Sequence, residues 1–520
     1  MSISISEVRK KIFINSGLIV AGRFIGTISS LLIVPMNIRK LGIEGYGYWG
    51  AIWAGATFFS VLNLALSSTM LWQSSTVEGE KISNEEFVSR LRRKAGVGVF
   101  FAAIQFLLCG AAALLLLDLL LDKFGLEVSQ VNRICLGGSI LLVLFSGYSE
   151  IAGAMLSGQN HSGVVSNVRS FSALIGNAAI FILLVCGLGM LSLPLGFAVN
   201  YLCFSAALCY LTWKKMGIRF FHPVFPRLCE LKEMTGYTIC SLVGRVTAAV
   251  RTQFTCIALG NQVSFEWAGY YTVATKIGAL LLEVNSFFMV PMIAFVNRLK
   301  REQGALFVIY RDMVVAAAVV SGLVCAGITS VGSDFLSLWL NSPNLKILLP
   351  MIFILLLQYM IALIVTGQGV AVCQGDGKNH FETAYLLLNL VLNILLLWLT
   401  RPMGGWGILL SAAVSWIFAG CWFSLFIQHH YHLPSVFPIC LKTVSVTLAL
   451  MGGALWMLWS GEALFVNHWA GLIVKGILGP LLFLAVLLPG LRLIPLETQK
   501  KYLMRAVGKV RKAWYEKVAS

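Results

Sequence analysis

NSGLIVAGRFIGTISSLLIVPMNIRKLGIEGYGYW, residues 15–49, opens as an apolar helix and carries Arg23 near its middle. Roughly 20 residues at 1.5 Å each are enough to cross the hydrocarbon core of a bilayer. The helix gives way at Arg39-Lys40 to a turn containing Gly42, Gly45, Tyr46 and Gly47, followed by Tyr48-Trp49. A weaker copy returns about 220 residues later. Gly244-Arg245 echoes Gly22-Arg23, Leu259-Gly260 echoes Leu41-Gly42, and Ala268-Gly269-Tyr270-Tyr271 stands for Glu44-Gly45-Tyr46-Gly47.

The rest of the chain has the same character: 58% of its 520 residues are hydrophobic, 12% are charged and mean hydropathy is +0.84. A soluble domain carries about a quarter charged residues, so the composition is that of an all-α integral membrane protein. Alternating ten-residue segments of a membrane barrel are absent. The first apolar run continues to about residue 38 with no cleavage motif, which reads as a retained span rather than a signal peptide. Twelve cysteines occur as singles without a C-x-x-C pair and read as small apolar fillers.

Fourteen spans are expected, at about 12–38, 47–72, 95–121, 134–157, 164–187, 191–213, 237–260, 268–296, 305–330, 346–373, 380–400, 405–430, 437–460 and 468–494. The net charge of +17 then sorts by side: 26 of the 39 Lys and Arg fall on the side of the two termini and six on the other. The positive-inside rule places both termini in the cytoplasm. The basic excess is topogenic, with anionic lipid headgroups as its partner and no nucleic acid implied.

A second repeat supports the first. Gly158-Gln159-Asn160-His161 precedes a helix with Asn177, and Gly377-Lys378-Asn379-His380 precedes a helix with Asn389 and Asn393. Both landmarks recur at nearly one offset, so six helices are duplicated. An even number gives a parallel repeat, related by a pseudo-twofold along the membrane normal. The expected organisation is a six-helix lobe at 1–213, a cytoplasmic linker at 214–236 and a second six-helix lobe at 237–430. Two appended helices follow at 431–494, then a basic amphipathic tail at 495–520 lying on the inner leaflet.

Ionisable groups inside a span cost about 2.5–3.5 kcal/mol each and are functional suspects. By helical rise Arg23 lies roughly 16 Å from the inner edge, and Arg245 and Arg251 lie roughly 12 and 21 Å from it. Lys276 and Glu283 lie roughly 12 and 22 Å below the outer edge, which puts Arg251 and Lys276 at one level of adjacent helices. Such neighbours repel in lipid unless water or an anion lies between them. Arg23, Arg245, Arg251 and Lys276 are therefore the candidate site for a phosphate or carboxylate. Glu283 is a counter-ion or the carrier of a coupling Na+ or H+. Snorkelling to the interface or structural pairing is the alternative for each, most strongly for Arg245. Glu150 and Arg169, at the same end of neighbouring helices, read as a structural ion pair; Lys475 is left open. His429, His430 and His432 have no carboxylate or cysteine nearby and read as a solvated loop rather than a metal site. No phosphate-binding G-x-x-x-x-G-K-[ST] loop occurs, so no nucleotide drives the chain directly.

The opening motif, N-S-G…G-R…S-S-L-L-I-V-P…L-G-x-x-G-Y-G-x-W, resembles polysaccharide-type flippases of the multidrug/oligosaccharidyl-lipid/polysaccharide (MOP) exporter superfamily. The paired turns, Gly158-Gln-Asn-His and Gly375-Asp-Gly-Lys378-Asn with Gly404-Gly-x-Gly407, are similar to that family's half-motifs over residues 10–430. The resemblance implies two six-helix lobes in a V around a central cavity, working by alternating access. It also implies an undecaprenyl-diphosphate-linked oligosaccharide as substrate, carried to the outer leaflet of the bacterial inner membrane alongside glycosyltransferases or a polymerase of one pathway. Two readings compete with it. A drug extruder would want buried carboxylates, and a polymerase or glycosyltransferase would want catalytic acids on a long exposed loop. The sequence favours neither.

Overall fold

The computed structural model describes residues 22, 25–78, 84–218, 222–299, 305–340, 344–376, 378–460 and 469–487. All the regular elements among them are helices. Among the described residues eight helical stretches are long and apolar enough to cross a membrane, one of which, His380–His430, holds two of the expected spans. The candidate Arg23 lies outside the described residues, as does the basic tail.

The first lobe is built from α1 (Val34–Phe58), α2 (Ser60–Glu78), α3 (Asn84–Leu115), α4 (Leu117–Lys123), α5 (Gln130–Leu156), α6 (Ser162–Val185) and α7 (Ser192–Met216). α1 contains the glycine turn, and its helical geometry breaks at Gly42, with φ 75° and ψ 165°, a backbone that only glycine adopts readily. Pro35 sits in the first turn of α1, where its missing N–H would have had no partner anyway. α7 stops at Gly217 in the left-handed conformation, whose N–H reaches Trp213 O at 3.0 Å.

The second lobe comprises α8 (Leu228–Gln262), α9 (Phe265–Leu299), α10 (Ala305–Leu340), α11 (Leu345–Ala362), α12 (Gln368–Gly375), α13 (Asn379–Thr400) and α14 (Gly404–His430). α8 starts nine residues before the expected span, so the connection between lobes is only the stretch from Gly217 to Arg227. The cause is a cap: the backbone N–H of Arg227 donates to Glu230 Oε2 at 2.8 Å, just after Pro226. π-helical turns at Ser157–His161 and Leu363–Gly367 interrupt one long helix in each lobe.

α15 (Phe437–Ser460) and α16 (Trp469–Leu487) pack on α10. The charge left open by the sequence finds its partner there: Lys475 Nζ lies 2.6 Å from Asp334 Oδ2, whose side chain is 3% exposed. Arg169 and Glu150 pair at 2.8 Å, with the guanidinium also 4.7 Å from the Phe204 ring centroid. Asn63 links two helices, donating to Val143 O and accepting from Gln105, both at 2.8 Å.

One large apolar core runs through both lobes, from Val34, Trp49 and Ile140 to Leu259, Tyr271 and Leu356. A second core, with Leu66, Met70, Leu91, Ile151, Met155 and Leu208, draws its described residues from the first lobe and from Ile218 of the connection. It occupies the end where the connection from Gly217 to Arg227 lies, hereafter the linker end. The opposite end carries the Gly42–Gly47 stretch and is called the turn end.

Candidate functional site

The turn end is where the duplication becomes visible as geometry. α1 packs against α9, and a Cβ on Gly47 would overlap the carbonyl of Phe265 and lie 2.8 Å from Gly269 N. Reciprocally, a Cβ on Gly269 would overlap the carbonyl of Ile43. One turn further along, Gly50 faces Thr272 in the same way. Ile43 with Phe265, Gly47 with Gly269 and Gly50 with Thr272 all stand at a single separation in sequence. Residues that touch their own repeat mates lie on a twofold axis. The repeat register is therefore Gly47-Tyr48-Trp49 against Gly269-Tyr270-Tyr271. This corrects by two residues the pairing with Gly45-Tyr46 expected from sequence, where two adjacent Gly-Tyr pairs compete. Tyr48 stacks on Phe265 at 3.8 Å between centroids and completes the seam.

Below this seam lies a cavity of about 400 Å³ between the lobes. The first lobe lines it with Asn37, Tyr46, Trp49, Trp53, Asn177 and Phe197; the second lines it with Gln253, Cys256, Tyr271, Thr275, Lys276 and Tyr359. Among these and the remaining lining residues Lys276 is the one charged side chain, and no Asp or Glu is present.

Lys276 stands on α9, three turns beyond Phe265, or about 16 Å along the helix. Its Nζ is 3.5 Å from Ser30 O and 5.8 Å from the Tyr46 ring centroid. Those are weak partners for an ammonium inside a bilayer protein, and no described carboxylate is within 4.0 Å of it. The amide chemistry of the wall is partly committed. Asn177 Nδ2 donates to Ser29 Oγ at 2.6 Å, whereas the buried Asn37 Oδ1 has no hydrogen-bond partner among the described residues.

The other sequence candidates fall in different places. Arg251 lies on α8, half a turn from the lining residue Gln253, and Glu283 lies on α9. The side chains of both lie outside the described residues. Arg245 is not among the lining residues; its exposed guanidinium donates to Ser68 Oγ at 2.9 Å across the lobe boundary. It belongs to a polar seam at the linker end. There Arg93 Nε meets Glu230 Oε1 at 2.6 Å, the Thr69 and Thr238 hydroxyls meet at 2.8 Å, and Val224 N donates to Gly96 O at 3.0 Å. Of the histidine cluster, His430 Nε2 lies 3.2 Å from Lys378 Nζ. No group of three metal-ligating side chains occurs among the described residues.

Sequence reasoning did not single out Asn37, Trp53 or Phe197, and marked Trp49 only as the aromatic that closes the opening motif. In a chain that is 12% aromatic, one more Trp or Phe in a span carries no mark. Only the position of Trp53, four residues past the Tyr48-Trp49 anchor, put it on a repeated helix face.

No family model and no curated protein matches the chain. Solved structures do. A lipid II flippase, MurJ, in an inward closed conformation aligns with TM-score 0.66 and 16% identity, over 91% of this chain and 99% of its own. A multidrug-resistance MATE transporter of the MOP superfamily in an inward-facing conformation aligns at TM-score 0.59 and 12% identity, over 80% and 95%. A MOP-superfamily transporter from Pyrococcus furiosus, described as having a binding pocket of reversed polarity, aligns at 0.58 and 14%, over 81% and 96%. The fold is thus that of the MOP-superfamily transporters, a multi-pass membrane architecture.

Proposed function

We propose that this chain is a flippase that carries a polyprenyl-diphosphate-linked oligosaccharide from the inner to the outer leaflet by alternating access. The observation that supports this most directly is the cavity between the lobes, where Lys276 is the one charged group among the described lining residues and no described acid balances it. A diphosphate would take charge-assisted hydrogen bonds from the ammonium that Ser30 O and Tyr46 satisfy only weakly. This reading also assigns Arg23 and Arg251, from their place in the sequence, to the diphosphate, and leaves the prenyl tail in lipid through a lateral opening. No bond is made or broken; binding shifts the populations of two states of the lobes. Glu283 is the group to which coupling by Na+ or H+ would fall. In this reading the linker end faces the cytoplasm of a bacterial inner membrane, a sidedness the distribution of Lys and Arg supports, and glycosyltransferases of a cell-surface polysaccharide pathway supply the substrate.

A cation-extruding MATE-like role is the second reading, since such transporters share the fold. A cationic drug would meet Lys276 with no carboxylate among the described lining residues, which disfavours it. The test is transport of undecaprenyl-diphosphate-linked N-acetylhexosamine across proteoliposomes, read by lectin access to the far leaflet. Lys276→Met should slow it about 10- to 100-fold, the worth of a hydrogen bond to a charged group. Unchanged transport in a correctly inserted variant would overturn the assignment.

A further inference from the structure

Arg245, a candidate from the sequence, ends outside the cavity and has no part in the proposed function. The residue before it docks α8 onto α13: a Cβ on Gly244 would lie 3.6 Å from Leu386 Cδ1 and 3.8 Å from Thr383 Oγ1. Gly22 makes the matching contact with α6 in the first lobe, against Asn167. This docking sets Arg245 near Glu382, one turn before Leu386 on α13. The guanidinium acts electrostatically on that carboxylate, yet no ion pair within 4.0 Å forms between them. Each charge instead holds a neutral partner. Glu382 Oε2 accepts from Gln374 Nε2 at 2.8 Å, and Arg245 donates to Ser68 Oγ of the other lobe at 2.9 Å. Opposite charges on membrane helices ordinarily pair directly, as Arg169 with Glu150 and Lys475 with Asp334 do here.

From this we infer that Arg245 is a latch with two seats: it holds the linker end closed through Ser68, and when the lobes part there it swings back to pair with Glu382 of its own lobe. The chemistry sets the direction of the exchange. A hydrogen bond between two charged groups is roughly twice as strong as one between neutral groups, so parting the lobes trades a weaker partner for a stronger one. Water that enters the opened seam screens the new pair, which keeps the two seats close in free energy. Opening then leaves neither charge stranded beside the bilayer. The latch rests on the flippase reading in one respect only, that the lobes part at this end.

The test is the distance between spin labels on cysteines that replace the exposed Ser89 of α3 and His429 of α14, in an otherwise cysteine-free full chain in nanodiscs. α3 begins and α14 ends at the linker end, so a short distance reports closure and a long one opening. The native protein should show both. Ser68→Ala removes the closed seat and should raise the long-to-short ratio about threefold or more. Glu382→Gln keeps the amide partner, removes the charge and should lower the ratio about threefold or more. In an Arg245→Met background both shifts should vanish, because neither partner then has a cation to hold. A merely structural role for the three residues would leave the shifts additive. Arg245→Gln keeps a donor without the charge and holds the test open if Arg245→Met fails to insert: Ser68→Ala should still act there and Glu382→Gln should not. A ratio indifferent to both partner substitutions, shifted in the opposite sense, or equally responsive without Arg245 would overturn the latch and leave the flippase reading standing. A single distance in the native protein and in every variant would overturn both.

Discussion

At the turn end the two lobes meet backbone to backbone, Gly47 against Phe265 and Gly269, and Gly269 against Ile43. Among the described residues at the linker end they meet through side chains, Arg93 with Glu230, Thr69 with Thr238 and Arg245 with Ser68, beside the backbone bond from Val224 in the connection to Gly96. Among the described residues the apolar core crosses between the lobes beside the first seam, while the core beside the second draws on the first lobe and the connection. A close-packed backbone contact has no partial state, because separating it by an ångström already forfeits much of the attraction. Polar contacts can instead be exchanged one by one for water at little net cost. If the lobes part at either end, these contacts predict that the linker end yields stepwise and the turn end all at once.

The largest effect should come from filling the tight seam. Gly47→Leu puts a side chain where the Phe265 carbonyl already sits, so the turn end cannot close. In a background whose only cysteine is the buried Cys256 of the cavity wall, labelling by an impermeant maleimide should accelerate at least 10-fold. Continued protection would show that the seam yields. Gly50→Ala should act in the same sense but more weakly, because its new methyl meets side chains, the Thr272 hydroxyl foremost and Cys256 Sγ at 3.4 Å, rather than backbone, so its effect is read by thermal stability. Adding Thr272→Ala should restore most of the loss, with a coupling of about 0.5–3 kcal/mol between the two sites. Additive behaviour would remove these residues from the pseudo-twofold contact.

How much of this could be read in advance depends on what each residue's chemistry advertises. The membrane class, the duplication and the Arg169–Glu150 pair were legible, since charges and glycines stand out against an apolar background. The repeat register was not. Gly45-Tyr46 and Gly47-Tyr48 look alike in sequence, and only the contact with Gly269 separates them. The early start of α8 had a signal that went unused, Pro226 followed by Glu230 at the third helical position. Asn37 carried none. It is an ordinary amide near the end of the first expected span, just before Arg39-Lys40, and its burial follows from how α1 packs.

The side-chain seam should respond more gently. Glu230→Gln removes a pair whose partners are 22% and 35% exposed, for Glu230 and Arg93 respectively, so the loss should be at most about 1 kcal/mol, seen as a small thermal shift. A loss several times larger would mean that the linker end is as rigid as the turn end. The smallest effect is on pH. The hydrogen bond from Arg93, aided by the N–H of Arg227 and opposed by burial, holds the Glu230 carboxyl below the usual glutamate range. A lowered carboxyl contributes fully above its unfolded value of about 4.3 and loses that contribution as pH falls through the lowered value. Hydrogen exchange in the first turn of α8 should be flat from neutral pH to about 5, after correction for intrinsic rates. It should rise in stronger acid, and in Glu230→Gln that rise should be absent.

The link between Lys475 and Asp334 has a consequence for anyone trimming the protein. Asp334 is almost wholly enclosed, and its cation comes from α16, beyond the duplicated part of the chain. Cutting after His430 to obtain a minimal twelve-span version would strand a bare carboxylate in hydrocarbon, a fault worth about 3–5 kcal/mol. The shortened protein would need Asp334→Leu before its behaviour said anything about what the appended helices do.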